Sequence, residues 1–306
     1  MSSIQITEFI KKYNEITAVK NISLKVEEGE LFGLIGPDGA GKTTLLRSIC
    51  TLLQPSGGKI TVEGYDTATH ISDIRKILGY MPQRFSLYQD LTVEQNLNFF
   101  ADLFNVPKDK RKTRFGLLYQ FSRLETFKKR LAGALSGGMK QKLALSCALI
   151  HTPKVLILDE PTYGVDPLSR QEFWEILKSI QKEGTTTLVS TAYMEEAEIC
   201  DRVALLHQGR IVSTGKPQDI RNQYSYPLYR IEGKNLYQLK QYFDQLNIVH
   251  DTQLFGNAIH VSFITVPKET NWHKWQEETS QNLLNWIPHS PSMEDVFMEF
   301  ISGEKN

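Results

Sequence analysis

The stretch Gly36-Pro-Asp-Gly-Ala-Gly-Lys-Thr-Thr44 fits the pattern G-x-x-x-x-G-K-S/T. The apolar run 31–35 before it predicts a buried strand, and residues 43–53 after it predict a helix. Glycines let such a loop turn its backbone N–H groups inwards as an anion-binding nest, and the helix start that follows favours phosphate. The loop is therefore expected to bind a nucleoside triphosphate. A chance match by a glycine-rich turn is the alternative, and the strand–loop–helix context disfavours it.

Within this loop, Lys42 is expected to reach the terminal phosphates and Thr43 to place its hydroxyl on Mg²⁺. The predicted nucleotide-binding residues are Gly36, Pro37, Asp38, Gly39, Ala40, Gly41, Lys42, Thr43 and Thr44.

The composition suits a globular protein with one large or two modest domains. Its 306 residues carry 35 Lys and Arg against 35 Asp and Glu, so bulk charge gives no argument for binding nucleic acid. Cys50, Cys147 and Cys200 lie far apart in apolar surroundings, which indicates reduced, buried thiols and a cytosolic protein. No stretch approaches the roughly 18 apolar residues of a membrane span, and the N-terminus does not resemble a signal peptide. Any role at a membrane is therefore expected from the cytosolic side and through a partner.

Two adjacent acids follow the apolar run Val155-Leu-Ile-Leu. The carboxyl ends of strands in an open parallel sheet are where ligands bind, so Asp159 is expected to hold Mg²⁺ and Glu160 to orient and deprotonate the attacking water. Acids also end ordinary strands, but their position after a phosphate loop favours the catalytic interpretation. Gln83, in a polar loop after a strand, could ligate Mg²⁺ or water through its amide oxygen. A lone loop glutamine is more often simply solvated.

A second candidate phosphate site is the helix start Leu135-Ser-Gly-Gly-Met-Lys-Gln141, which offers a hydroxyl and bare N–H groups. Taken alone, such a start is weak evidence. Tyr13 could stack on an adenine ring or be an ordinary strand aromatic, and its local sequence favours the second.

Residues 1–221 alternate strands and helices, which predicts an α/β fold. Residues 4–35 are expected to form short strands, and a helical block over about 88–151 opens with a capping box at Thr92–Gln95. Residues 222–306 predict a small α+β domain with strands at 228–232 and about 258–264. Its helices are expected at 235–246, about 271–284 and 292–301.

In combination and order, these motifs resemble those of an ATP-binding-cassette (ABC) ATPase over about residues 4–221. The Ser-Gly-Gly signature separates this family from other phosphate-loop NTPases. The resemblance implies a RecA-like core with an antiparallel β subdomain and a helical signature subdomain, which binds ATP and Mg²⁺. It also implies a homodimer or heterodimer of cassettes that drives a transmembrane permease from the cytoplasmic face of the inner membrane.

The resemblance assigns roles to individual residues. Tyr13 matches the adenine-stacking aromatic, and Gln83 matches the glutamine that links nucleotide state to the permease. The catalytic residues implied are Glu160, Gln83 and Lys42, and the Mg²⁺ ligands are Thr43, Gln83 and Asp159. The signature residues that would contact the partner cassette's ATP are Ser136, Gly137, Gly138 and Gln141, with Asp166 at the interface.

Two further stretches resemble particular branches of the family. Pro291-Ser-Met-Glu-Asp-Val-Phe297 resembles the C-terminal extension of daunorubicin-resistance-like drug exporters. The phosphate loop together with Tyr80-Met-Pro-Gln-Arg-Phe85 resembles the first cassette of tandem two-cassette exporter ATPases.

One position departs from the family pattern. Ala192 stands where the family places a histidine that contacts the γ-phosphate, and a methyl group donates no hydrogen bond. The hypothesis is that this cassette binds ATP but hydrolyses it slowly beside a more competent partner. Three functions are therefore weighed: the ATPase subunit of a bacterial exporter, a regulatory cassette that does not hydrolyse ATP, and a soluble ABC ATPase acting on ribosomes or DNA.

Overall fold

The computed structural model describes residues 2–84, 87–280 and 282–303. Phe85, part of one of the resemblances above, lies outside them. The chain forms two compact units, which divide between Pro217 and Gln218. Within the described ranges, no helix combines the length and the apolar character needed to cross a lipid bilayer.

The first unit alternates strands and helices. Its strands are β1 (Ser2–Tyr13), β2 (Ile16–Glu27), β3 (Leu31–Ile35), β4 (Gly57–Val62), β5 (Tyr65–Asp66), β6 (Leu78–Met81), β7 (Val155–Asp159), β8 (Thr186–Thr191), β9 (Arg202–His207) and β10 (Arg210–Gly215). Its helices are α1 (Lys42–Ile49), α2 (Ile71–Ile77), α3 (Val93–Leu103), α4 (Lys108–Ser122), α5 (Gly137–Ala148) and α6 (Pro167–Lys182), and α7 (Pro217–Arg221) spans the division between the units.

The central sheet has the order β10-β9-β3-β8-β7-β6 among the described strands. From β9 to β6 neighbouring strands are parallel, and β10 is antiparallel to β9. All five residues of β3 and of β7 are buried, as expected for strands covered on both faces. Ile35 pairs with Thr191, and Asp159 with Ser190, so the carboxyl ends of these strands meet at one edge. The phosphate loop leaves the sheet at this edge.

A second sheet is antiparallel and has the order β2-β1-β4-β5. The prediction of short strands here was wrong, because β1 and β2 each run for 12 residues. Their register shifts at several points, including between Ile6 and Phe9. Glu8 and Asn21 take positive φ angles of 48° and 57°. Such irregularities break the alternation of apolar residues and hide the length of a strand from its sequence.

The helical block contains α3, α4 and α5. Thr92 caps α3 with the predicted capping box: its hydroxyl accepts from Gln95 N at 3.2 Å, and Thr92 N donates to Gln95 Oε1 at 2.8 Å. The helix predicted after the phosphate loop ends at Ile49, earlier than expected. After β8, residues Met194–Ile199 form a 3₁₀ helix.

The second unit contains β11 (Leu228–Gly233), α8 (Leu236–Phe243), β12 (Val249–Phe255), β13 (Ala258–Phe263), α9 (Glu269–Glu278), β14 (Leu283–Pro288) and α10 (Met293–Gly303). Its antiparallel sheet has the order β12-β13-β11-β14, which is the split βαβ arrangement of ferredoxin-like folds. Trp272 and Trp275 are buried with Phe243 and Phe263 in its core. The α+β prediction is confirmed. The sequence missed β12 and β14, and the helix expected at 271–284 ends at Glu278.

Candidate nucleotide-binding site

The phosphate loop joins β3 to α1, and its shape depends on its glycines. A Cβ on Gly36 would lie 2.2 Å from Leu206 O, so no larger residue fits there. Gly39 and Gly41 take φ angles of 78° and 107°, which L-residues with a side chain rarely adopt. The loop lines a cleft of about 320 Å³ together with Ala18, Gln83 and Glu160.

Lys42 is buried and lies at the centre of the loop. Its Nζ donates to Gly36 O at 2.7 Å and Pro37 O at 3.1 Å, and lies 2.9 Å from Glu160 Oε1. The ammonium is thus held beside the cleft by two carbonyls and one carboxylate. These contacts hold the Lys42 charge close to the place where a phosphate would bind.

Asp159 is fully buried at the end of β7. Its Oδ1 accepts hydrogen bonds from Ser190 Oγ at 2.8 Å and Thr43 Oγ1 at 3.1 Å. Its Oδ2 is buried and has no hydrogen-bond partner among the described residues. Burial raises the pKa of Asp159, against the lowering effect of the Ser190 and Thr43 hydrogen bonds.

These groups fit a bound Mg²⁺. A buried carboxylate oxygen without a partner is costly, and a hard cation would satisfy it. The Thr43 hydroxyl lies within hydrogen-bond distance of the same carboxylate. Thr43 and Asp159 are therefore the residues that could hold the ion.

Glu160 follows Asp159 directly and turns towards the cleft. Its φ of 49° is left-handed, and its N–H donates to Ser190 Oγ at 3.0 Å and Ser190 O at 3.1 Å. Its Oε2 accepts from Gln83 Nε2 at 2.8 Å, and its Oε1 faces Lys42. The structure therefore brings the side chains of Lys42, Gln83 and Glu160 together, with the amide nitrogen of Gln83 on the Glu160 carboxylate.

The signature residues lie at the start of α5. Ser136 is the N-cap, and its Oγ accepts from Met139 N at 3.3 Å. A Cβ on Gly138 would lie 2.5 Å from Ser169 Oγ, so α5 packs closely against the start of α6. Asp166 caps α6 by accepting from Ser169 N at 2.9 Å, and this hydrogen bond lowers its pKa. Gln141 is half-buried further along α5.

Tyr13 and Ala192 are the two remaining positions of interest. Tyr13 ends β1 with 43% of its surface exposed, and the Lys11 ammonium lies 5.3 Å from its ring centroid. Ala192 follows β8 and is half-buried. The next residue, Tyr193, donates its N–H to Thr191 Oγ1 at 3.0 Å, and the Arg170 guanidinium covers its ring at 3.9 Å.

Sequence reasoning missed Ser190, which bonds to both acids of the site. β8 contains three threonines besides Ser190, so no local signal distinguishes this serine.

Comparison with known proteins decides the family. Residues 19–163 match the family model described as "ABC transporter". The chain is 34% identical over 310 residues to the Nod factor export ATP-binding protein I of Rhizobium etli, covering 99% of this chain and 95% of that protein. This chain belongs to the ATP-binding proteins of ABC transporters. It is also 39% identical over 290 residues to the probable multidrug ABC transporter ATP-binding protein YbhF of Escherichia coli K12. That alignment covers 94% of this chain and 49% of the relative, so the chain spans about half of that relative's length.

Solved structures agree with the ABC ATPase fold. The ATP-binding subunit of an ABC transporter superimposes with a TM-score of 0.67 and 30% identity, covering 72% of this chain and 93% of that one. The ATP-binding cassette MJ0796, described as a dimer in a post-hydrolysis state bound to ADP and Pi, has a TM-score of 0.64 and 27% identity. It covers 70% of this chain and 98% of its own.

Proposed function

We propose that this chain is the ATP-hydrolysing subunit of a bacterial membrane exporter of the multidrug type. It would act at the cytoplasmic face of the inner membrane and be held there by a transmembrane permease. The proposal that the chain hydrolyses ATP rests on one observation, which is that Lys42, Gln83 and Glu160 lie together beside the phosphate loop. A structural ion pair alone would not need the strained backbone of Glu160 or the unpartnered oxygen of Asp159.

ATP binding would begin by exchanging the partners of Lys42. The phosphates would take the Lys42 ammonium and the N–H groups of the loop, and Glu160 Oε1 would be released from its ion pair. Bound Mg²⁺, held by Thr43 and Asp159, would neutralise charge on the phosphates. Gln83 would add an amide oxygen to the ion or to water.

Glu160 would then act on the attacking water. Its carboxylate faces the cleft and is fixed by its backbone and by the Gln83 amide, so its orientation needs little rearrangement. Phosphoryl transfer relies mostly on positioning and on charge stabilisation, which Glu160 and Lys42 supply in these roles. Tyr13 would stack on the adenine.

A second cassette would complete the site. Ser136, Gly137, Gly138 and Gln141 would contact the ATP held by the partner's phosphate loop, and Asp166 would lie at the interface. A helix start that carries a hydroxyl and two glycines offers free N–H groups to a phosphate. The partner can be a second copy of this chain or a different cassette.

The direction of transport is supported by two kinds of likeness. The relatives described above are named for multidrug transport and Nod factor export. The stretch 291–297 resembles the tail of daunorubicin-resistance-like exporters, and from Met293 onwards it forms the start of α10. The likeness to the first cassette of tandem exporters stays a prediction.

Recovery of the complex tests the transport function. The tagged chain, purified from solubilised membranes, should bring down a polytopic permease, together with any second cassette. Recovery of ribosomes or DNA without a permease would contradict the exporter function and favour a soluble ABC ATPase.

Ala192 favours a second candidate, a regulatory cassette that binds ATP but hydrolyses it weakly. A methyl group at this position donates no hydrogen bond to a phosphate. In the purified complex, equal inactivity of the wild-type site and of Glu160→Gln would support the regulatory role. A clear loss of ATP turnover in Glu160→Gln, relative to wild type, would contradict the regulatory role.

A further inference from the structure

Ser190 is a fully buried hydroxyl residue near the end of β8. It pairs with Asp159 of β7 across the parallel sheet. Its neighbours Leu188 and Val189 are fully buried apolar residues. A polar side chain in such a position needs hydrogen-bond partners, and both of its partners belong to the candidate site.

The first partner is the Asp159 carboxylate. Ser190 Oγ donates to Oδ1 at 2.8 Å, and Thr43 Oγ1 donates to the same oxygen at 3.1 Å. Both donors thus occupy one oxygen and leave Oδ2 buried without a partner among the described residues. The carboxylate is fixed with one oxygen anchored and the other available to a cation.

The second partner is the backbone of Glu160. Its N–H donates to Ser190 Oγ at 3.0 Å and to Ser190 O at 3.1 Å. Glu160 has a φ of 49°, a strained conformation for a non-glycine residue that persists only where surrounding contacts enforce it. The hydrogen bonds that Glu160 N–H donates to Ser190 enforce this conformation. The turn directs the Glu160 side chain towards Lys42 and Gln83.

We propose that Ser190 is a positioning residue that sets both carboxylates through one hydroxyl, anchoring Asp159 for Mg²⁺ and holding Glu160 in its left-handed turn. This inference rests on the proposed ATPase function. It predicts that loss of the hydroxyl impairs metal binding separately from nucleotide binding, because among the described residues the Ser190 hydroxyl bonds to Asp159 and Glu160 and to no residue of the phosphate loop.

The variants are Ser190→Ala, which removes the hydroxyl, and Ser190→Thr, which keeps it. Thr187→Val is the matched control, since Thr187 is buried on the same strand and its hydroxyl has no partner among the described residues. The full chain is loaded with ATP, and Mn²⁺ affinity is measured by electron paramagnetic resonance. ATP affinity is measured separately in EDTA.

Loss of a group that orients a metal ligand commonly weakens metal affinity about 10–100-fold. We expect Ser190→Ala to weaken Mn²⁺ binding by about tenfold and to leave ATP affinity in EDTA within about twofold. Ser190→Thr and Thr187→Val should bind Mn²⁺ within about threefold of wild type. In the purified complex, Ser190→Ala should lower kcat with little change in KM.

Unchanged Mn²⁺ affinity in a folded Ser190→Ala chain would overturn the proposal. So would an equal loss in Ser190→Thr, which would indicate packing instead of the hydroxyl. If Ser190→Ala does not fold, Ser190→Cys replaces it, and Mn²⁺ affinity equal to wild type would again overturn the proposal. Failure of the ATPase function itself would appear differently, as a wild-type complex that binds ATP and Mn²⁺ but does not hydrolyse ATP.

Discussion

Lys42 Nζ lies 2.9 Å from Glu160 Oε1, and Gln83 Nε2 lies 2.8 Å from Glu160 Oε2. Both oxygens of the proposed general base are therefore occupied by groups of the same site. Lys42 and Glu160 are each about 95% buried, with 4% and 5% of their side-chain surface exposed. Nucleotide binding must break this pair for either residue to act.

Removing the Lys42 charge should weaken ATP binding and destabilise the fold. Lys42→Met leaves the buried Glu160 carboxylate without its cation, which is expected to cost about 3 kcal/mol in the free energy of unfolding. The double variant Lys42→Met/Glu160→Gln should recover part of that loss. Lys76→Met is the control, because Lys76 pairs with Asp73 on the surface and should change stability by less than about 1 kcal/mol. Additive losses in the double variant, measured by urea unfolding, would contradict a direct pair.

Restoring a histidine at position 192 should raise turnover. One lost transition-state contact commonly costs about 10²–10³ in rate, so Ala192→His is expected to increase ATP hydrolysis of the purified complex by at least about tenfold. Ala192→Phe tests whether bulk alone has this effect. No gain from the histidine would show that this position does not limit the rate.

The two signature glycines should respond differently to alanine. A Cβ on Gly138 would lie 2.5 Å from Ser169 Oγ, whereas at Gly137 the nearest atom is Gly164 O at 3.9 Å. Gly138→Ala should therefore cost about 1–3 kcal/mol of stability by overpacking, and Gly137→Ala should not lower it. Both should reduce turnover in the complex if the partner's ATP contacts this helix start. Equal melting temperatures of the two variants would contradict the close packing of α5 on α6.

His151 should make stability depend on pH. Burial lowers its pKa from 6.5 to about 4, against the hydrogen bond to Leu78 O, and its ring stacks on Phe104 at 3.9 Å. The unfolded chain therefore binds a proton more readily, so stability is lost as pH falls from about 6.5 towards 4.

Replacing His151 by Phe should flatten this pH dependence of the urea midpoint. His70→Phe, at an exposed histidine, is the control for the loss of an imidazole. An unaltered pH dependence of the urea midpoint in His151→Phe would show that another group causes the loss of stability at low pH.

The nucleotide site could be predicted from sequence because its parts are contiguous motifs. The local sequence of the phosphate loop and of the Asp159–Glu160 pair indicates their chemistry. Both follow parallel strands, whose carboxyl ends meet at one edge of the sheet. The contact of Gln83 Nε2 with Glu160 joins residues 77 positions apart, and it was not predicted.

Other features depend on tertiary contacts that leave no local pattern. Ser190 is one of four hydroxyl residues in the buried strand β8, and its role follows from the strand paired beside it. The strands β12 and β14 were missed because neither His250-Asp-Thr-Gln253 nor Asn285-Trp-Ile-Pro288 alternates cleanly between apolar and polar residues. Pairing with β13 and β11 decides their structure.

The most direct test of the central claim is ATP turnover by the purified complex with Glu160→Gln in this chain. Glu160 would activate the attacking water, so turnover should fall by at least about 10²-fold while ATP binding persists. Glu175→Gln, at an exposed glutamate of α6, is the matched control and should hydrolyse ATP at the wild-type rate. Turnover by Glu160→Gln equal to that of wild type would contradict the claim that this chain's own site hydrolyses ATP.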